Sequence, residues 1–372
     1  MDSYLPTFPI EADANASMRA SAPSREFVLR VQQACFEDSD VWARITSFMS
    51  STKHPARNLE WLKVLTNGLR HRTFILEATQ HGKTVGVLPL AEVKSLLFGK
   101  FLVSLPYLNQ GGVHAESGHV AQLLVDEAVA LADTLDVRYL ELRHETELEH
   151  PKLTEQISNK VHMRLGLPSS SESLWSHFKS KLRSQIRSGE KHGFTVHWGG
   201  AEMIPDFYKV FSRNMRDLGT PVIGMRFFES IAAKFPGDAE FCCVRTGATP
   251  IASALVVHGG NTTEVPSASS LREFRSSNPN MVMYWNLLQR AIERGSQVFD
   301  FGRSTMNEGT FAFKQQWGAN PSPAVWQYYV RKGPCDAMRP DNNKFSMAIG
   351  VWKRLPLALT NYLGPRIVRG IP

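Results

Sequence analysis

Glu240-Phe241-Cys242-Cys243-Val244-Arg245, Thr246-Gly247-Ala248-Thr249 and the run from Pro250 to Val257 form the stretch that decides the fold. Two β-rich segments flank a Gly-bearing turn, which is the pattern of an antiparallel hairpin. Beyond it, 263–268 predicts a third strand, 280–294 a helix closed by Gly295, and Val298-Phe299-Asp300-Phe301 a last strand. The same order occurs earlier in the chain. A hairpin is predicted at 73–78 and 84–90 through Gln80-His81-Gly82-Lys83, then a strand at 101–105. A helix follows at 118–135, with Val120, Leu123, Leu124, Ala128 and Leu131 on one face, and then Tyr139-Leu140-Glu141-Leu142-Arg143. Gly82 and Glu141 are 59 residues apart, Gly247 and Asp300 53, so one unit is used twice rather than one large sheet being built once.

Outward from the two units, 27–31 predicts a strand, and 42–48 and 58–69 predict helices. The second unit opens with helical segments at 174–191 and 205–218. A linker is expected at 147–173, which holds Pro151 and Ser169-Ser170-Ser171. The divisions expected are a flexible leader at 1–25, a first domain at 26–165, a second at 166–335, and a helical tail at 336–372 that packs on the first domain or touches a membrane interface. A length of 372 residues suits two domains, and 42% hydrophobic with 21% charged residues is an ordinary globular balance. Cys35, Cys242, Cys243 and Cys335 form no CxxC pair, which argues for reduced thiols and against a disulfide framework or a metal cluster. No basic-then-apolar leader and no run of 18 apolar residues is visible. The expected location is therefore the cytoplasm, with peripheral contact at the inner membrane as the alternative use of the tail. Net charge is +7, and from Arg331 onward eight Lys/Arg face two Asp. That tail and the cluster Lys179, Lys181, Arg183, Arg187 and Lys191 could face polyanions or simply be solvated.

Several strings carry a resemblance. They are Leu182-Arg183-Ser184-Gln185-Ile186-Arg187; Ser277-Asn278-Pro279-Asn280-Met281 leading to Tyr284 and Trp285; Phe299-Asp300-Phe301-Gly302-Arg303-Ser304; and Gly309-Thr310-Phe311-Ala312-Phe313-Lys314-Gln315-Gln316-Trp317-Gly318. In the first unit, Gly86-Val87-Leu88-Pro89-Leu90 and Ser104 through Gly112 join them. Over about residues 26–335 the chain resembles the FemAB-like branch of the GNAT superfamily, nearest to the FemAB-related proteins associated with exosortase/PEP-CTERM and exopolysaccharide systems. The resemblance implies an α/β (α+β) fold: two tandem GNAT (acyl-CoA N-acyltransferase-like) domains with mixed central sheets flanked by helices. It implies an acyltransferase that moves an aminoacyl or acyl group from an activated donor to an amine of a cell-envelope or exopolysaccharide precursor. The donor substrate would be an aminoacyl-tRNA or an acyl-CoA, with no resident cofactor. The alternatives are an acyl-CoA-dependent N-acetyltransferase and a non-catalytic binding module of an exopolysaccharide or exosortase system.

Transfer to an amine requires the nucleophile beside the acyl carbon and stabilisation of the oxyanion. Lys314 matches the motif lysine that the family uses for developing charge. Arg303 ends its strand and could bind phosphate or carboxylate, or pair with Asp300. Asp300 could be a base or that partner, the partner role being preferred. Arg183 and Arg187, one helical turn apart, could grip phosphates. Asn280 opens a helix whose N–H groups attract anions. Tyr208 and Tyr284 could line the cleft or belong to the core, and Asn109 with Gly111-Gly112 could shape a wall of the first unit or only a turn. Arg272 through Pro279 lacks the Gly-rich turn of CoA-type acetyltransferases, which weakens the simple acetyl-CoA reading. HExxH, GxSxG, P-loop and GxGxxG patterns are absent, and nothing supports a metal.

Overall fold

The computed structural model describes residues 28–33, 38–50, 54–95, 98–333 and 346–372. The leader expected at 1–25, together with Cys35 and Cys335, lies outside the described residues. The first half holds β1 (Val28–Gln33), α1 (Ser39–Ser50), α2 (Glu60–Leu69), β2 (Arg72–Gln80), β3 (Lys83–Ser95), β4 (Gly99–Val103), β5 (His114–Ala115), α3 (Gly118–Thr134), β6 (Tyr139–His144) and β7 (Glu155–Gly166). The second half holds α4 (Ser171–His177), α5 (Ser180–Glu190), β8 (Thr195–Gly199), α6 (Ile204–Leu218), α7 (Met225–Lys234), β9 (Ala239–Thr246), β10 (Thr249–Gly259), β11 (Thr262–Ser270), α8 (Pro279–Glu293), β12 (Val298–Thr305), α9 (Gly309–Gln316) and β13 (Asn320–Val330). The tail adds α10 (Ser346–Trp352) and α11 (Leu357–Val368).

Both predicted units are present. In each, an antiparallel hairpin is followed by an antiparallel third strand, a crossover helix and a fourth strand parallel to the third: β2–β3–β4–α3–β6 and β9–β10–β11–α8–β12. The strands form one mixed sheet in the order β1-β2-β3-β4-β6-β13-β7-β12-β11-β10-β9-β8, with helices against it. The centre of that order is an exchange. β7, from the first half, pairs with β12, while β13, from the second, pairs with β6, and the two lie antiparallel to each other. The sheet therefore runs without a break across 165/166: the unit is used twice, as expected, but the two copies share one large sheet rather than each having its own.

The middle of the linker expected at 147–173 is in fact β7, a central strand. Its N-terminal half is polar and mostly exposed, which reads as a loop. Only Val161, Met163 and Leu165 show the alternation of a buried face. β13 escaped the sequence reading because Pro321 and Pro323 interrupt it. They fall where the strand pairs only with β7, since β6 joins from Val325 onward, and a one-sided stretch tolerates residues that cannot donate. The single helix predicted at 174–191 is broken at Phe178-Lys179, both extended. The break turns the Phe178 ring into the core against Trp175, Trp285 and Trp317. Cys242 and Cys243 are buried free thiols in β9. The tail rests on both halves: α11 packs on α6, and Tyr107 Oη donates to Val368 O at 3.2 Å. No helix among the described residues is long and apolar enough to cross a membrane.

Candidate functional site

The parallel strands β11 and β12 are paired only at Thr262–Val298, Thr263–Phe299 and Glu264–Asp300. Beyond Glu264 and Asp300 they diverge, because β12 bulges between Asp300 and Arg303 and continues along β7 instead. The bulge turns on Gly302 at φ +75°, a conformation that glycine reaches without strain. Asp300 fixes it, accepting the Gly302 N–H at 2.7 Å with one carboxylate oxygen. The other oxygen accepts from Arg164 Nε at 2.8 Å and lies 3.3 Å from His54 Nε2. Burial opposes ionisation of Asp300, but His54 and Arg164 outweigh it and hold the carboxyl well below the usual range.

The expected Asp300–Arg303 pair does not form. Asp300 is taken by Arg164 and His54, and the bulge swings Arg303 onto the Trp326 ring, its guanidinium carbon 3.5 Å from the centroid. Arg143 lies 4.0 Å from the same centroid and is tied to Glu141 by a 2.7 Å ion pair. Burial first, and then the neighbouring Arg143 charge, push Arg303 down to about 10. Two guanidiniums on one indole, with a single carboxylate between them, make a place where an anion is stabilised.

Lys314 reaches the opposite side of the bulge. α9 buries Phe311 and, three residues on, Lys314, so the lysine points inward rather than into water. Its Nζ donates to Gly302 O and Arg303 O, each at 3.0 Å, leaving one N–H for another acceptor. Burial lowers it from 10.5 to about 8, against the pull of Asp300. It lines a cavity of about 290 Å³ with Ser269, Ser270, Arg275, Asn280 and Tyr284. The Tyr284 ring stacks on Phe301 at 5.6 Å, and burial raises its hydroxyl pKa.

The structure thus brings Lys314, Asn280 and Tyr284 to one cavity, with Arg303 and Asp300 at the bulge beside it. Asn109 is carried in from the first half. Its Nδ2 donates to Glu264 Oε1 at 3.2 Å and lies 3.1 Å from where a Cβ on Gly302 would stand. Glu264 is fully buried, and burial raises its pKa. Tyr208 lies elsewhere, among Phe211 and Phe228. Arg183 and Arg187 are not lining residues: Arg183 reaches Ser176 O at 3.5 Å, and Arg187 lies over Trp175. His54, Arg143, Arg164, Glu264 and Trp326 were missed by the sequence reading. Each is contributed by a different segment, and none carries a local motif.

The entrance of α8 bears on the donor. A helix N-terminus ordinarily leaves four N–H groups free. Here Pro279 has none, Asn278 N donates to Arg275 O, and Met281 N donates to Asn278 O. Only the Asn280 N–H has no backbone acceptor, so a row of amides for a pyrophosphate is not offered.

Residues 176–315 match the family model for an acetyltransferase (GNAT) domain. None of the curated protein sequences compared with the chain matches it. Among solved structures, FemX is similar over 81% of this chain and 97% of its own, at 15% identity and TM-score 0.58. A tandem GNAT protein from the clavulanic acid biosynthesis pathway is similar over 83% of this chain and 100% of its own, at 12% identity and TM-score 0.52. L-PGS from Bacillus licheniformis is similar over 89% and 97%, at 11% identity and TM-score 0.51. At these identities the likeness is one of fold. The fold is thus a mixed α/β sheet flanked by helices, similar to that of a tandem GNAT protein, and the match to the GNAT acetyltransferase family model lies within its second half, at residues 176–315.

Proposed function

We propose that the protein is an acyltransferase that moves an aminoacyl or acyl group from an activated donor to an amine, with Lys314 as the fixed charge at the reacting carbonyl. The observation that carries this is the lysine itself. It is a buried cation with two hydrogens bound to backbone carbonyls and one left over, lining a cavity at the point where β11 and β12 part. A preorganised donor stabilises an oxyanion with little reorganisation. Arg303, beside Arg143 on Trp326, would hold an anionic group of donor or acceptor, and Asp300 would position the bulge that presents both. Asn280 and Tyr284 would contact the acyl portion, and Asn109 the acceptor side. Arg183 and Arg187 would act at most on parts of a large donor outside this cavity, and Tyr208, buried among Phe211 and Phe228, belongs to the core and not to the site.

The sparse N–H array at α8 favours aminoacyl-tRNA over acyl-CoA as donor. FemX-like architecture and the sequence motifs together favour an acceptor amine on a cell-envelope or exopolysaccharide precursor, of the kind handled with exosortase/PEP-CTERM systems. The test is a transfer assay offering charged tRNA and acyl-CoA in parallel to wild type and Lys314→Ala. Turnover with charged tRNA, lost in the variant, supports the reading. Full turnover by the variant refutes the role of Lys314, and turnover with acyl-CoA alone replaces the donor.

A further inference from the structure

The described tail, residues 346–372, contains Lys353, Arg354, Arg366 and Arg369 and no Asp or Glu. It also carries most of the large apolar side chains that the described residues expose. Met347 is 81% and Tyr362 61% exposed, with Val351 and Leu359 beside them in the same two helices. Leu218, also exposed, adjoins α10, whose Ile349 side chain lies against Gly219. On α11 and at its C-cap the exposed residues Leu359, Tyr362, Arg366 and Arg369 recur every three or four positions. They form one stripe, opposite buried Thr360 and Gly364, the latter closed against Val222. The stripe ends at a second cavity, of about 230 Å³, which Arg369 lines with Arg70, His71, Arg72, Lys94 and Glu92. Burial, and then the Arg369 charge, hold His71 at about 4, so the imidazole is neutral there; Lys94 is paired with Glu92 at 3.1 Å, and Arg70, Arg72 and Arg369 are left to attract an anion.

We propose that this face is a docking surface for an anionic phospholipid bilayer. Met347, Val351, Leu359 and Tyr362 enter the boundary between headgroups and acyl chains. Lys353, Arg354 and Arg366 lie at phosphate level, and the cavity of Arg70, Arg72 and Arg369 takes a headgroup phosphate. A second copy of the chain fits the face badly, because every formal charge on its helices is positive and pairing would oppose like to like. A nucleic acid would satisfy the cations but leave the apolar side chains in water.

The inference stands apart from the acyl-transfer reading and is tested without substrate. The full chain is sedimented with phosphatidylcholine vesicles, with and without phosphatidylglycerol. Binding to the anionic vesicles only, weakened by salt, is the expected result. Leu359→Ser with Tyr362→Ser should lower partitioning about tenfold or more. Arg366→Gln, and separately Arg72→Gln, should each lower it about fivefold. Thermal melts matching wild type show that these variants are folded. Failure of the wild type to sediment with anionic vesicles overturns the proposal. So does unchanged sedimentation of the folded variants, or light scattering that shows a dimer dependent on Tyr362 and indifferent to lipid.

Discussion

Replacing Lys314 by Met tests the site through stability as well as activity. Lys314 titrates at about 8 in the folded chain against an ordinary 10.5, because burial disfavours its charge. At about 1.4 kcal/mol per pH unit, that gap amounts to about 3 kcal/mol. Between those two values the unfolded chain holds a proton that the native chain has released. Stability therefore rises with pH across the window, and below about 8 it carries the full burden of a buried ammonium. Met fills a similar volume without the charge. The stability of wild type minus that of Lys314→Met should climb by about 2.5 kcal/mol between pH 7 and pH 10. At pH 7 the variant, which loses two hydrogen bonds to carbonyls but also an expensive charge, should melt close to wild type. Transfer should meanwhile fall about 10²–10³-fold, the usual effect of removing one oxyanion donor. Wild-type turnover should decline above about pH 8 as the ammonium is lost. Denaturant titrations of both proteins at several pH values supply the difference curve. A flat difference from pH 7 to pH 10 would mean a hydrated lysine of ordinary acidity, and the electrostatic argument for the site would fall with it.

Gly302→Ala places a methyl at φ +75° and 3.1 Å from Asn109 Nδ2. It should destabilise by about 1–3 kcal/mol in a urea melt and lower transfer by moving the carbonyls that Lys314 holds. Burial alone would raise Glu240, but bonds from His258 and Arg290 hold it at about 2. Stability should therefore drop as pH falls from about 4.5 through 2, and Glu240→Gln should flatten that part of an acid-unfolding curve. Cutting the chain between 165 and 166 should give fragments that do not melt cooperatively alone and regain a cooperative melt when mixed, because each half supplies the strand beside the other's last strand. A cooperative melt from either fragment alone would contradict that.

What could be read from the sequence was local. The two hairpins, α3, α8 and the strands that follow them announce themselves through turns and periodicity, and the order of elements repeats. Lys314, Asn280 and Tyr284 share a cavity because they flank one strand, β12, from the helix before it and the helix after it. Local motifs could therefore bring them together. β7 and β13 were not legible, since polar residues and prolines mask strands whose pairing is decided by partners far away in sequence. The partners of Asp300 were hidden for the same reason. Arg164 and His54 are separated from it by 136 and 246 residues, and an aspartate three positions from an arginine suggests the wrong ion pair. The tail's helical character and its basic charge showed in the sequence, but the basic cavity at its end draws on residues from 69 to 369.

The exchange of β7 and β13 has a chemical consequence. The carbonyls that hold Lys314 belong to Gly302 and Arg303, and the bulge that orients them is fixed by Asp300. Asp300 is itself fixed by Arg164 on β7 and by His54, both from the first half. Asn109, also from the first half, fills the space above Gly302. The first half therefore acts as the mould in which the charge of the second half is set, through an ion pair whose carboxylate is buried and whose guanidinium is partly exposed. A displacement of Asn109 or His54 would therefore reach Lys314 through Gly302 and Asp300. That gives a physical reason for the first half to be retained: it supports the geometry of the Lys314 cavity in the second.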